Sequence, residues 1–265
     1  MRRVGGNMKF LSGLLAENAE RFPDRIAVIH GERTMTYQQL NYEANRLANA
    51  MRHMGLKKGD RIALLMGGSI EWLLTLHACQ KLGVGLTLIH LRLLPDEMVR
   101  MVTLAGVDTL IYSAEFSQQA AYIAANSGGI CRMIVQGAAG KNTYGAYSFE
   151  RLIDGQKCSN IQADLAGDED SVILFTSGTT SAAKGIVRTQ RMMSVYASVL
   201  ADAESRRRRD IMLTPAPLYH AAGLCCVIKM LVNAGTLIVL DHFNCEKICQ
   251  MVQKYRATQI AIVPP

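Results

Sequence analysis

The sequence predicts an α/β fold, layered sheets flanked by helices. Short apolar runs alternate with longer amphipathic stretches along the whole chain, the pattern of strands interleaved with helices. The composition agrees: 49% hydrophobic and 19% charged over 265 residues is an ordinary globular balance, in a chain long enough to bury a sizeable core.

Taken in order, Leu11–Arg21 has the apolar spacing of a helix and Arg25–Ile29 reads as the first strand. Thr36 offers a capping hydroxyl to a helix over Tyr37–Met54, which Gly55 closes. Arg61–Met66 is a strand, Ile70–Leu82 a helix ending at Gly83, and Val84–Ile89 the next strand. Pro95 stands where a helix over Asp96–Ala105 begins, and Gly106 ends it. Thr109–Tyr112, Phe116–Ala125 and Arg132–Val135 repeat the strand, helix, strand order, and Gly137–Gly145 is a loop by composition. Then come a strand at Ser171–Phe175, a helix at Gln190–Ala203 and a strand at Asp210–Thr214. A helix over Ala222–Val232 closed by Gly235, a strand at Thr236–Leu240, a helix at Glu246–Tyr255 and a strand at Gln259–Val263 complete the chain.

The charge balance of 29 basic against 22 acidic residues gives +7, with Arg206 to Arg209 in one run. No aromatic residues interleave with those arginines, so nucleic acid is not an expected partner. A basic run of this kind is a solvated loop in most chains, and it leaves room for peripheral contact with a membrane. The seven cysteines are odd in number and irregularly spaced, with no CxxC pair, which points to a reduced, cytoplasmic protein and to no metal site. No apolar run reaches the length of a membrane span. Met1-Arg-Arg followed by Phe10–Ala16 is too short in its apolar part for a signal peptide, and Met8 is an alternative start. The oligomeric state is open.

The chemistry concentrates in Thr176-Ser-Gly-Thr-Thr-Ser-Ala-Ala-Lys-Gly185, which follows the apolar run Val172–Phe175. Hydroxyls and backbone N–H groups suit phosphate oxygens, glycine admits close approach of the main chain, and Lys184 supplies the compensating charge. On composition alone a Ser/Thr/Gly surface turn competes evenly. A Walker loop fails, because Ala183 and Gly185 stand where that pattern needs glycine and a hydroxyl. A dinucleotide fingerprint fails because Gly83-Val-Gly85 is followed by Leu88.

The segment closely resembles the phosphate loop of the acyl-adenylate-forming superfamily, the acyl-CoA synthetases, amino-acid adenylation domains and luciferases. Ser181 and Ala183 stand where the common form has Gly and Pro. Other landmarks agree in order: Thr36-Tyr37 with Leu40, Lys58-Gly-Asp-Arg-Ile-Ala63, Leu82-Gly83 with Leu91-Arg92-Leu93, and Pro217-Leu-Tyr-His-Ala-Ala-Gly223. The loop and Val252–Thr258 look most like CoA ligases of the carnitine and crotonobetaine type.

The resemblance implies the incomplete N-terminal large domain of an adenylate-forming enzyme over residues 1–265. The Tyr-Gly-x-Thr-Glu segment, the ribose-binding Asp, the hinge and the mobile C-terminal domain are expected to be absent. It further implies an ATP-dependent acid–CoA ligase acting on a small carboxylic acid, with ATP, Mg2+ and CoA, in which this chain alone does not complete the reaction. Thr176, Ser177, Gly178, Thr179, Thr180 and Lys184 are then expected on the β- and γ-phosphates. Tyr219, His220 and Gly223 are expected to line the acyl pocket, and His242 takes the place of a basic residue that approaches CoA in relatives. Read by itself, His220 is more often a hydrogen-bonded structural histidine. Three rival readings remain: a phosphotransferase, which would release ADP rather than AMP; a non-catalytic relative that binds nucleotide or acyl ligands; and a fragment of an amino-acid adenylation domain.

Overall fold

The computed structural model describes residues 10–137, 144–161, 163–176, 184–203 and 210–262. Two sheets carry the architecture. The smaller is built from β1 (Ile26–His30), β2 (Arg33–Thr36), β10 (Ile211–Thr214), β11 (Thr236–Val239) and β12 (Gln259–Ile260), in the order β12-β10-β11-β1-β2. The larger holds β3 (Arg61–Leu65), β4 (Gly85–Leu88), β5 (Thr109–Ser113), β6 (Arg132–Gln136), β7 (Tyr147–Ser148), β8 (Asp170–Thr176) and β9 (Lys184–Thr189), in the order β7-β6-β5-β3-β4-β8-β9. Pairing is parallel throughout except at two edges, where β2 runs antiparallel to β1 and β9 antiparallel to β8.

Side-chain alternation sorts these strands into layers. In the larger sheet Ile62, Leu64, Leu86, Leu88, Ile111, Ile134, Val172 and Leu174 join one core, while Ala63, Leu65, Leu110, Tyr112 and Val135 join another. The smaller sheet divides in the same way: Val28, Met212, Leu237 and Val239 face the first core, and Ile29, Leu213, Ile238 and Leu240 a third. The shared first core is filled by α1 (Leu11–Arg21), α2 (Tyr37–His53), α3 (Ile70–Leu82), α7 (Gln190–Ala203) and α8 (Ala221–Asn233). Outside the larger sheet lie α4 (Pro95–Ala105) and α5 (Ser117–Ser127), and outside the smaller sheet lies α9 (Cys245–Tyr255). The result is five layers, helix, sheet, helix, sheet, helix. Among the described residues no helix is long and apolar enough to cross a membrane.

Local chemistry fixes the helices of the middle layer. Thr36 and Gln39 form a reciprocal capping box at the start of α2, and Ser69 caps α3 by accepting the Trp72 N–H. Every residue of α3 is buried, so its apolar positions show no stripe. Three asparagines one turn apart on α2 make a polar seam with the segment after α6 (Phe149–Ile153). Asn41 and Asn45 donate to Asn160 Oδ1 at 3.1 and 3.0 Å, Asn45 also to the Cys158 carbonyl at 2.9 Å, and Asn49 to the Lys157 carbonyl at 2.8 Å. Lys81, buried on α3, donates to Asn41 Oδ1 at 2.8 Å.

The expected elements are present, with corrections at the ends. β12 stops at Ile260 rather than running to Val263. Ala234, not Gly235, takes the left-handed turn after α8. Gly235 is needed for room, since a Cβ there would meet the Asp210 carbonyl oxygen at 2.7 Å. The edge strands β2, β7 and β9 and the short helix α6 add to the expected set. The tetra-arginine run and most of the Gly137–Gly145 loop lie outside the described residues.

Candidate functional site

Because β3, β4, β5, β6 and β8 are parallel, their carboxyl ends share one edge of the larger sheet. Ligands of such sheets bind in the crevice beyond that edge. β8 leaves it at Thr176, and the chain returns in β9 at Lys184. Thr176 and Lys184 are Cα partners, as are Phe175 and Gly185. The hydroxyl-rich segment therefore joins two antiparallel strands that are paired up to the flanking Thr176 and Lys184. Ser177, Gly178, Thr179 and Thr180 lie outside the described residues. Lys184 is exposed.

The base of this hairpin is tied down by polar contacts. Ser171 Oγ donates to Gln80 Oε1 at 2.9 Å, and Arg61 pairs with Asp170 at 2.6 Å. Gly185 admits the Phe175 ring, whose atoms would come within 3.2 Å of a Cβ at that position.

Tyr219 and His220 follow β10 in the smaller sheet, and His90 follows β4 in the larger one; the three rings meet where the two sheets approach each other. Ring centroids are 4.7 Å apart for His90 and His220, 4.9 Å for Tyr219 and His220, and 5.1 Å for His90 and Tyr219. His220 is the N-terminal flanking residue of α8, its N–H bonded to the Pro217 carbonyl at 3.1 Å, and it is exposed. Although the residue as a whole is exposed, partial burial of its ring, followed by the neighbouring His90 and Arg92 charges, holds the His220 imidazole below the ordinary histidine value. Burial and Arg92 do the same for His90, and burial raises the Tyr219 phenol. Both imidazoles are thus biased to the neutral form and the phenol to its protonated form, a set of hydrogen-bonding groups with little charge of their own.

Gly223 stands behind the cluster. A Cβ there would lie 2.2 Å from the Pro217 carbonyl oxygen and 2.8 Å from Leu218 Cα, so glycine is what allows α8 to seat against the turn that presents Tyr219 and His220. The structure thus brings Tyr219, His220 and Gly223 together and pairs Thr176 with Lys184. His90 was missed by the sequence reading. Its signal was a polar residue directly after the apolar run of β4, at a strand's carboxyl end. His242 sits exposed between β11 and α9.

A separate polar cleft of about 240 Å3 opens where the connections after β3 and β5 depart to opposite faces of the larger sheet, lined by His30, Arg33, Ser69, Glu71, Glu115 and Gln136 among others. Arg33 pairs with Glu71 at 2.7 Å, and His30 with Asp241. Among the described residues, none of the expected site residues lines it.

A hydroxyl-rich hairpin and an imidazole–phenol cluster at the carboxyl ends of parallel strands define an α/β domain of the kind that binds its ligands at those ends. The chain belongs to the AMP-binding enzyme family, whose family model matches residues 15–265. It is 31% identical over 233 residues to the long-chain-fatty-acid–CoA ligase FadD13 of Mycobacterium tuberculosis, covering 87% of this chain and 44% of that protein. It is 27% identical over 258 residues to a 2-succinylbenzoate–CoA ligase of Bacillus licheniformis, covering 94% and 48%. The chain thus spans about half the length of these curated relatives. An inhibitor-bound N-terminal domain of FACL13 from Mycobacterium tuberculosis superposes with a TM-score of 0.86 at 29% identity, covering 94% of this chain and 61% of that one. The anthranilate CoA ligase AuaEII, in complex with anthranoyl-AMP, superposes with a TM-score of 0.91 at 21% identity over 98% and 51%, a likeness of fold.

Proposed function

We propose that this chain supplies the phosphate hairpin and one wall of the acid pocket of an ATP-dependent acid–CoA ligase. In the reaction proposed, the substrate carboxylate attacks the α-phosphate of ATP, giving an acyl-adenylate and pyrophosphate. The CoA thiol then attacks the acyl carbon, forming the thioester and releasing AMP, with the thiol proton passing to solvent. Thr176, Ser177, Gly178, Thr179, Thr180 and Lys184 would hold the β- and γ-phosphates, where their donors offset the charge that grows on the leaving pyrophosphate. Tyr219 and His220 would face the acyl group, with Gly223 setting their distance from α8. His242 would stand beside the path of CoA.

Mg2+ would accompany ATP. Among the described residues no group of three or more His, Cys, Asp or Glu side chains stands together to hold it, and no step is assigned to it. The observation that supports the proposal is the pairing of Thr176 with Lys184, the two residues that flank the hydroxyl-rich segment.

The carnitine and crotonobetaine type rests on the sequence of the phosphate loop and of Val252–Thr258. Val252–Tyr255 serve to end and dock α9, where Lys254 pairs with Glu32 at 2.8 Å and the Tyr255 hydroxyl donates to the Gly31 carbonyl at 3.2 Å. A cytoplasmic location belongs to the same proposal and is supported by seven free thiols.

Octanoyl-sulfamoyl adenosine, a non-hydrolysable mimic of an acyl-adenylate, tests the reading by titration into the protein under NMR. Saturable movement of the His220 and Tyr219 ring resonances is expected. A flat response at both rings would overturn the assignment of the acid pocket.

A further inference from the structure

His90 comes from the larger sheet and touches two rings from the smaller one. Its Nδ1 accepts the Arg92 backbone N–H at 3.2 Å, so the neutral ring carries its proton on Nε2. The His90 and His220 rings stand at 82° to each other, an edge-to-face contact. Three groups face the pair, Arg92 on the same loop, Glu97 at the start of α4, and Tyr219, and each imidazole faces the other. Glu97 is engaged elsewhere, accepting the Leu94 N–H at 2.9 Å. Among the described residues no salt bridge joins Arg92 to a carboxylate; its charge disfavours a proton on both rings, and Glu97 opposes it at His90. A second proton on His90 would break its bond to the Arg92 amide, and an imidazolium at either ring would lie beside another basic group.

We propose that His90 is a positioning residue for His220, holding that ring edge-to-face across the junction of the two sheets and excluding a state in which both imidazoles are charged. The inference rests on the assignment of His220 to the acid pocket and deepens it. The wall met by the acyl group is then uncharged imidazole and phenol at neutral pH, which suits an acid whose chain next to the carboxylate is apolar. Acidification charges one ring and spoils that match.

The test needs no ligand. Side-chain NMR of the complete chain resolves its six histidines as the pH is lowered. His90→Phe keeps a ring and removes the titrating nitrogens. The ring contact should survive, and the His220 midpoint should rise toward the ordinary histidine value. His90→Ala should raise the midpoint as well and also abolish the ring-current displacement of the His220 resonances. A merely structural role would lower stability and leave the His220 midpoint where it was. Unchanged midpoints in both variants would overturn the proposal, and His90→Phe alone decides the matter if His90→Ala does not fold. Octanoyl-sulfamoyl adenosine separates the two ideas. If it leaves His220 unmoved while His90→Phe shifts the ligand-free titration, the acid-pocket assignment fails and the coupling of the two rings stands.

Discussion

Acid should weaken this fold through His77, a residue far from the chemistry proposed above. His77 lies in the middle of α3, between the two sheets, with its Nδ1 buried and without a partner. Burial, reinforced by the Lys81 charge one turn away, pushes its titration down to about 3 from an ordinary 6.5. The sign follows directly. Below about pH 6.5 the unfolded chain takes up a proton that the folded chain refuses, so stability is whole above that pH and falls as the pH drops toward 3. Each pH unit well inside that window costs about 1.4 kcal/mol, and less near pH 6.5 where the unfolded imidazole is half protonated, so from about pH 6.5 to about pH 4.5 the loss from this one group is roughly 2 kcal/mol. Urea unfolding of the wild-type chain and of His77→Gln at those two pH values measures it. Other groups titrate in both proteins, so the informative quantity is the difference between their losses. The wild type should lose roughly 2 kcal/mol more than the variant. Equal losses would show that His77 is protonated in the fold and would refute the reasoning.

Two substitutions test the packing that presents the site. Gly223→Ala forces a Cβ into the Pro217–Leu218 backbone and should destabilise the protein by about 1–3 kcal/mol while shifting the Tyr219 and His220 resonances; a neutral effect on both would remove the spacing role given to this glycine. Asn45→Ala deletes two bonds of the asparagine seam, to Asn160 and Cys158, and should cost about 2 kcal/mol in thermal or urea unfolding, with faster amide exchange in residues 156–161. Unaltered exchange there would mean that the seam does not hold the segment.

Much of this organisation was legible in the sequence because the strands are buried on both faces. Val172–Phe175 and Leu237–Leu240 are continuous apolar runs, as expected of interior strands covered on both faces. Edge strands carried no such signal. Lys184–Thr189 is mostly exposed and begins with lysine and glycine, and β2 reads Arg-Thr-Met-Thr, so neither looks like a strand until its partner is in place. The phosphate-loop segment was singled out by its hydroxyls, glycine and lysine, and Tyr219 and His220 by the motif that holds them, but the strand pairing that flanks the loop was not expected. His90 escaped because its role depends on two loops, from different sheets and far apart in the chain, that only the fold brings within ring contact. Gly223 was found, but as pocket lining; the close approach of the Pro217 carbonyl that makes it necessary is a distance no sequence states.

The central claim is that the hairpin between β8 and β9 is a phosphate cradle with Lys184 as its charge. Calorimetric titration of pyrophosphate, with Mg2+ present, into the complete chain and into Lys184→Ala tests it most directly. Saturable binding by the wild type is expected, weakened about tenfold or more in the variant, the worth of one charge-assisted contact. Heat without saturation in the wild type, or equal affinity in the two proteins, would contradict it.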